Sequence, residues 1–285
     1  MSASPVHADN SAQAEYWSSV AGPKWTDHQE HQDQVLSPVS ERLMAAANPK
    51  PGERVIDVGC GCGATTIELA ARVAPGGEVL GLDISEPMLA RARERGAGLP
   101  ARLVLADATV YQFEPEADLV ASRFGVMFFA DPARSFANLR KGLKPGGRLA
   151  FACWRAAKQN PFFILPLREA GKHAPPLPET DPEAPGPFAL ADPARVRRIL
   201  GQAGFADVAV EPQDLELDIA VGRGLDAAVK AAMTIGPTSR MLDGQSEKVR
   251  AAAEADIRKA LAAQARGDSV PLGGAIWIVT ATNPG

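Results

Sequence analysis

The sequence predicts an α/β protein built on a doubly wound, mostly parallel sheet of seven strands, with a helical cover over the strand ends. Two observations carry this. From residue 54 onward, short β-branched runs alternate with helix-length stretches. One of those runs, Val55-Ile56-Asp57-Val58, feeds a glycine-dense turn, Gly59-Cys60-Gly61-Cys62-Gly63, that opens directly into a helix. A third observation concerns loops. Glycine (26) and proline (24) are in excess among the 285 residues, against a combined background of about 12%. No G-x-y period accompanies them, so they mark particular turns rather than a collagen-like repeat.

Residues 1–50 read as helical, with apolar positions at Trp17, Val20, Trp25, Val35, Leu36, Leu43 and Met44. Strands follow at 54–58, 78–83, 102–106, 118–122 and 148–154, separated by helices at 64–73, 86–95 and 132–142. Such βαβ units take right-handed crossovers and give a parallel sheet. Six prolines in the fourteen positions 174–187 exclude a helix or central strand and imply an extended surface loop. Asp192-Pro193 opens a short helix, with Asp as cap and Pro in the first turn. The last strands lie at 208–219 and 274–282, with helices at 225–234 and 246–266 between them. Ser246 caps the second of these helices and Gly267 stops it. The expected organisation is a lid over 1–50, a ligand-binding core over 51–155, a Pro-rich insertion over 156–192, and the rest of the core over 193–285 with a helical insertion at 222–270.

The bulk composition narrows the function. Thirty Lys and Arg against 34 Asp and Glu give a formal charge of −4, which lacks the basic footprint of a nucleic-acid binder. Cys60, Cys62 and Cys153 have neither the number nor the spacing of a disulfide framework or a cysteine zinc site, so no metal is expected. The first ten residues lack the basic and apolar regions of a secretion signal, and no apolar run reaches membrane-spanning length. The expectation is a cytoplasmic monomer or homodimer acting on a small molecule, without membrane or nucleic-acid partners.

Gly59, Gly61 and Ala64 satisfy the dinucleotide spacing G-x-G-x-x-G/A, with Asp83 about twenty residues on. Asp57 argues against a pyrophosphate at this turn, because a carboxylate two residues before the first glycine repels one. It suits a ligand carrying a cation there. With these residues the chain resembles the class I S-adenosylmethionine-dependent methyltransferases, of the small-molecule type that includes the ubiquinone/menaquinone-biosynthesis group. The resemblance spans roughly residues 50–155 in five ordered pieces. These are Asp57 to Gly63, Leu82 to Leu89, Leu105-Ala106-Asp107-Ala108, Asp118 to Phe124, and Leu143 to Leu149. It implies a Rossmann-like fold and S-adenosyl-L-methionine as cofactor. It also implies that Asp57 and the loop glycines Gly59, Gly61 and Gly63 meet the methionine part, and that Asp83 accepts from both ribose hydroxyls. Ile84 and Met88 would pack on adenine, with Asp107 and Ala108 at its amino edge. Ser122 and Trp25 would complete the cofactor site.

Methyl transfer from a sulfonium is an in-line displacement, so the protein chiefly positions the acceptor. A base is needed only where the acceptor must lose a proton. His28 and His31, on the amino-terminal segment, are the candidates, with a solvated helix face as the competing reading. Arg123 either orients an acidic acceptor or makes a structural ion pair. Tyr16, Trp17 and Trp25 read as lid aromatics or as core. Phe162, Phe163, Ile164, Leu165, Met233, Ile235 and Met241 supply apolar surface for an acceptor pocket. Asn160-Pro161-Phe162-Phe163 follows the fifth strand rather than the fourth and reads as a packing turn. Asp131 reads as a helix cap. The alternatives are a cofactor-binding sensor or partner subunit that transfers nothing, and an NAD-dependent oxidoreductase.

Overall fold

Leu119, Val120 and Ala121, like residues 149–153, are apolar without alternation, the pattern of strands buried on both faces. In the computed structural model they lie near the centre of a seven-stranded sheet. The structure describes residue 7, residues 10–179 and residues 181–285; the reading of residues 1–6, 8–9 and 180 lies outside the described residues. The strands are β1 (Arg54–Val58), β2 (Glu78–Asp83), β3 (Ala101–Leu105), β4 (Ala117–Arg123), β5 (Leu143–Trp154), β6 (Ala206–Asp218) and β7 (Pro271–Thr282). Their order is β3-β2-β1-β4-β5-β7-β6. The first five run parallel, and β7 lies antiparallel between β5 and β6. The order reverses between β1 and β4, which places a crevice at their carboxyl ends.

Before β1 come α1 (Ser11–Tyr16), a π-helical turn (Trp17–Ala21), α2 (Gly22–Asp27), α3 (Gln29–Val35) and α4 (Ser37–Ala47). Helices α5 (Ala64–Val73), α6 (Glu86–Arg95) and α7 (Pro132–Lys141) connect the parallel strands. Next come α8 (Pro161–Ala170) and α9 (Pro193–Gln202), then α10 (Gly224–Thr234), α11 (Pro237–Leu242) and α12 (Glu247–Ala262) between β6 and β7. The main core, around Phe136, Phe151, Leu119 and Leu149, lies between sheet and helices. A second apolar cluster, with Leu242, Ile257 and Leu261, joins α8, α10, α11 and α12.

The caps follow their sequence signatures. The carboxylates of Asp131 and Asp192 accept from the backbone N–H of Arg134 and Ala194, and Ser246 Oγ accepts from Val249 N. Strand and helix ends shift by one to a few residues from the sequence reading, and the larger differences have identifiable reasons. Strand β5 starts at Leu143 and runs through the Pro-Gly-Gly turn, because Gly146 takes a φ of +78° and its N–H pairs with Asn283 O. Helix α12 ends at Ala262, before Gly267. Helices α8 and α11 are additional; α8 carries Pro166 in its interior, which masks it as a helix.

Asn160 explains how α8 is seated. Fully buried, it accepts from Ala275 N at 2.7 Å and donates to the carbonyls of Arg155 and Ala156, both at 3.2 Å. The Asn160-Pro161 piece is therefore a packing turn. Asn160→Ala strands a buried N–H and is expected to cost about 2–3 kcal/mol, measured as a lowered urea midpoint.

Candidate functional site

A cavity of 680 Å³ opens over the carboxyl ends of β1, β2 and β4. Its floor is the turn after β1. Gly59 N and Cys60 N donate to Leu82 O, and Gly61 N donates to Asp83 Oδ2 at 2.8 Å, so the turn leans on the end of β2. Asp83 Oδ1 accepts from Ser85 N at 2.8 Å. Burial, opposed by these backbone donors, pushes the Asp83 carboxyl up to about 6. Beneath the floor lies Asp57, fully buried. Its Oδ2 accepts from Thr65 Oγ1 at 2.7 Å and Thr66 Oγ1 at 2.6 Å, while Oδ1 has no partner. Burial raises the Asp57 carboxyl; the two threonines and the charge of Arg123 work against that rise.

The amino-terminal helices close the top. Asp107, at the end of β3, accepts from Asn10 Nδ2 and His7 N, each at 3.0 Å, and from Thr109 N at 2.9 Å. The π-helical turn is tied to the end of β2, Ser85 Oγ donating to Trp17 O at 2.8 Å and Ser18 Oγ to Ile84 O at 3.3 Å. Helix α3 is held through Asp33, which pairs with Arg95 at 2.9 Å and Arg123 at 3.5 Å. Arg123 also donates to Ser40 Oγ at 2.8 Å.

The remaining wall is aromatic. Phe124, at a left-handed φ of +69°, stacks on Trp154 with centroids 4.4 Å apart. Phe162 and Phe163 pack on Trp154, while Trp17 packs edge-on against Trp25 and Phe128. Ile235 and Thr238 close this side, and the proline segment reaches it through Pro185, Gly186 and Pro187, with Gly186 N donating to Met127 O.

Of the residues predicted from sequence, Trp25, Gly59, Gly61, Asp83, Ile84, Met88, Asp107, Ala108 and Arg123 line this one cavity. Five do not. Asp57 sits below the floor. Gly63 faces Ala92, where a Cβ would lie 3.1 Å from that side chain, so it seats α5 against α6. Ser122 Oγ donates to Val58 O at 2.7 Å and ties β4 to β1. His28 stands at the junction of α2 and α3. His31 turns toward Ile219 and Arg223 outside the lining, its Nε2 buried without a partner; burial lowers its pKa, and Arg223 adds to that. Of the apolar residues, Phe162, Phe163 and Ile235 reach the cavity, whereas Ile164, Leu165, Met233 and Met241 do not. Asn10, Gln13 and Gln32 line it too; isolated amides on a polar helix carry no sequence signal.

The three cysteines are free and buried, and burial pushes Cys62 up to about 11. Among the described residues there is no cluster fit to hold a metal ion and no helix long and apolar enough to cross a membrane.

The model of a methyltransferase domain matches residues 55–147. The chain is 32% identical over 197 residues to nocamycin O-methyltransferase of Saccharothrix syringae, covering 65% of this chain and 70% of that one. It is 37% identical over 127 residues to a demethylmenaquinone methyltransferase of Symbiobacterium thermophilum, covering 43% of this chain and 50% of the relative. In fold it is similar to a phosphoethanolamine N-methyltransferase of Haemonchus contortus, solved with phosphomonomethylethanolamine and S-adenosylhomocysteine. There the TM-score is 0.55 at 20% identity, over 98% of this chain and 58% of that one.

Proposed function

The chain belongs to the S-adenosylmethionine-dependent methyltransferases, and from that premise we propose that it methylates a small acceptor with a flat, largely apolar body. One observation carries the reading. A single cavity joins the carboxylate-bearing strand ends to the aromatic wall of Phe124, Trp154, Phe162 and Phe163. The residues fit the cofactor. Asp83 offers a vicinal diol its bidentate acceptor, and Asp57, its Oδ1 unpartnered beneath the floor, would favour a cationic group above it through charge. Gly61 leaves the floor open, since a Cβ there would meet only Met88 Cε.

When bound, S-adenosylmethionine supplies a methyl group on a sulfonium, the electrophile of an in-line displacement. The protein's part is to hold the acceptor in line and exclude water. The aromatic wall does the first by stacking on a planar acceptor. The lid does the second, kept shut by Asp33 between Arg95 and Arg123. Arg123 is thus a lid clasp in this reading, and His28 and His31, outside the lining, are assigned no proton transfer. Positioning is then the source of rate. Residues 1–50 serve as the lid, and 156–192 with 222–270 as the acceptor cover. We propose further that it acts in the cytoplasm, as a monomer or homodimer.

Titration calorimetry is expected to show S-adenosylhomocysteine binding. Incubation with S-adenosylmethionine and a panel of quinols and aromatic polyketides is expected to add one methyl group to a panel member, read by mass spectrometry. Binding without any transfer across a panel of apolar and polar acceptors would favour a sensor. Trp154→Ala removes the ring on which three phenylalanines pack. It is expected to raise the acceptor KM roughly tenfold while leaving S-adenosylhomocysteine affinity within about twofold.

A further inference from the structure

We propose that Gln13, on the helix that crosses the cavity, reads the adenine edge of the cofactor, while Asp107 holds that helix in place. The inference rests on the S-adenosylmethionine reading above. A carboxylate offers about four lone-pair positions, and the protein itself fills three at Asp107. Asn10 Nδ2 and Thr109 N donate to Oδ1, and His7 N donates to Oδ2. Asp107 is 1% exposed. Asn10 is fastened a second time, accepting from Ala130 N at 3.1 Å. The strand-end acid is thus committed to the lid.

Gln13 lies three residues beyond Asn10, one turn along the same face of α1. It lines the cavity, and its Oε1 is buried without a hydrogen-bond partner. Four and five residues further along, Trp17 and Ser18 are tied to Ser85 and Ile84. This stretch of helix therefore spans from the end of β3 to the end of β2, the interval the reading assigns to the nucleoside. A buried amide oxygen without a donor is unfavourable until one arrives. A glutamine amide matches adenine, accepting from its amino group while donating to a ring nitrogen. Gln13 is a binding residue brought by the lid, so cofactor binding and lid closure become one event.

The test measures two ligands, S-adenosylhomocysteine and its analogue with hydrogen in place of the 6-amino group, against wild type and Gln13→Ala. Wild type is expected to prefer the amino compound roughly tenfold. Gln13→Ala is expected to lose about that factor for S-adenosylhomocysteine and to bind both alike. Its ligand-free Tm is expected to match wild type, because an unpartnered oxygen is removed. Unchanged affinity in the variant overturns the inference, as does a preference that survives in it, which returns the amino group to Asp107. A large fall in ligand-free Tm also overturns it, marking a structural role. Failure of wild type to bind S-adenosylhomocysteine overturns the functional reading along with it.

Discussion

Asp83→Ala is expected to weaken S-adenosylhomocysteine binding by about a hundredfold or more. Two hydroxyl donors to an ionised carboxylate contribute about 1.5–3 kcal/mol each, and 1.4 kcal/mol is tenfold. The substitution also strands Gly61 N and Ser85 N, the donors that shape the turn. Asp83→Asn separates the two effects, since it keeps an acceptor oxygen but loses the charge. Affinity within threefold of wild type in Asp83→Ala would falsify the assignment. The pH dependence adds a second readout. The diol requires the ionised form, and burial has raised this carboxyl to about 6. Affinity is expected to be level well above that value and to fall as pH drops through it, a dependence absent from Asp83→Asn. Fold stability runs the other way. The folded chain binds this proton more tightly than the unfolded one, so Asp83 contributes stability below the ordinary carboxylate range and loses it as pH rises through about 6. Calorimetric titration and denaturant midpoints across pH 5–8 distinguish the two.

Gly59→Ala is expected to cost about 4 kcal/mol or more, a large share of the 5–15 kcal/mol typical of a domain. Gly59 has a φ of +66°, and a Cβ there would lie 2.6 Å from Gly125 Cα. Gly125 is packed as closely in return, its own Cβ position lying 2.6 Å from Val58 O and 2.8 Å from Gly59 Cα. Left-handed strain and a backbone collision therefore add where the turns after β1 and β4 touch. Gly52 is the control. Its φ is +84° with nothing within 4 Å of the Cβ position, so Gly52→Ala is expected to cost only about 1 kcal/mol, the strain alone. Urea midpoints of the two variants give the comparison, and equal values would show that contact with Gly125 is unimportant.

Much of the cofactor half was legible because its parts are local. A strand, a glycine turn and an acid at the next strand end lie within thirty residues, and each is set by short-range rules of φ, capping and hydrophobic period. Asp57 shows the limit. Its position on β1 is a matter of local sequence, but its depth is not. That it sits below the cavity floor with one oxygen unpaired depends on Thr65 and Thr66 arriving from α5. The histidines show the same limit from the other side, since α3 turns Gln32 and Asp33 to the cavity and His31 away from it, toward Ile219 and Arg223.

Alternating β-branched and amphipathic segments, a glycine turn and ordered strand-end acids by themselves determined the doubly wound fold and its cofactor class, because backbone conformation and strand direction respond to neighbours in sequence. Only the tertiary structure decided what lines the cavity. Phe124, Trp154 and Phe163 lie on three separate segments and meet through long-range packing, as do Trp17 and Phe128. Asp33, Arg95 and Arg123 do likewise at the lid. No local rule encodes such meetings, since they are set by how helices settle on the sheet. The glycine and proline turns could be placed from sequence; the partners they bring together could not.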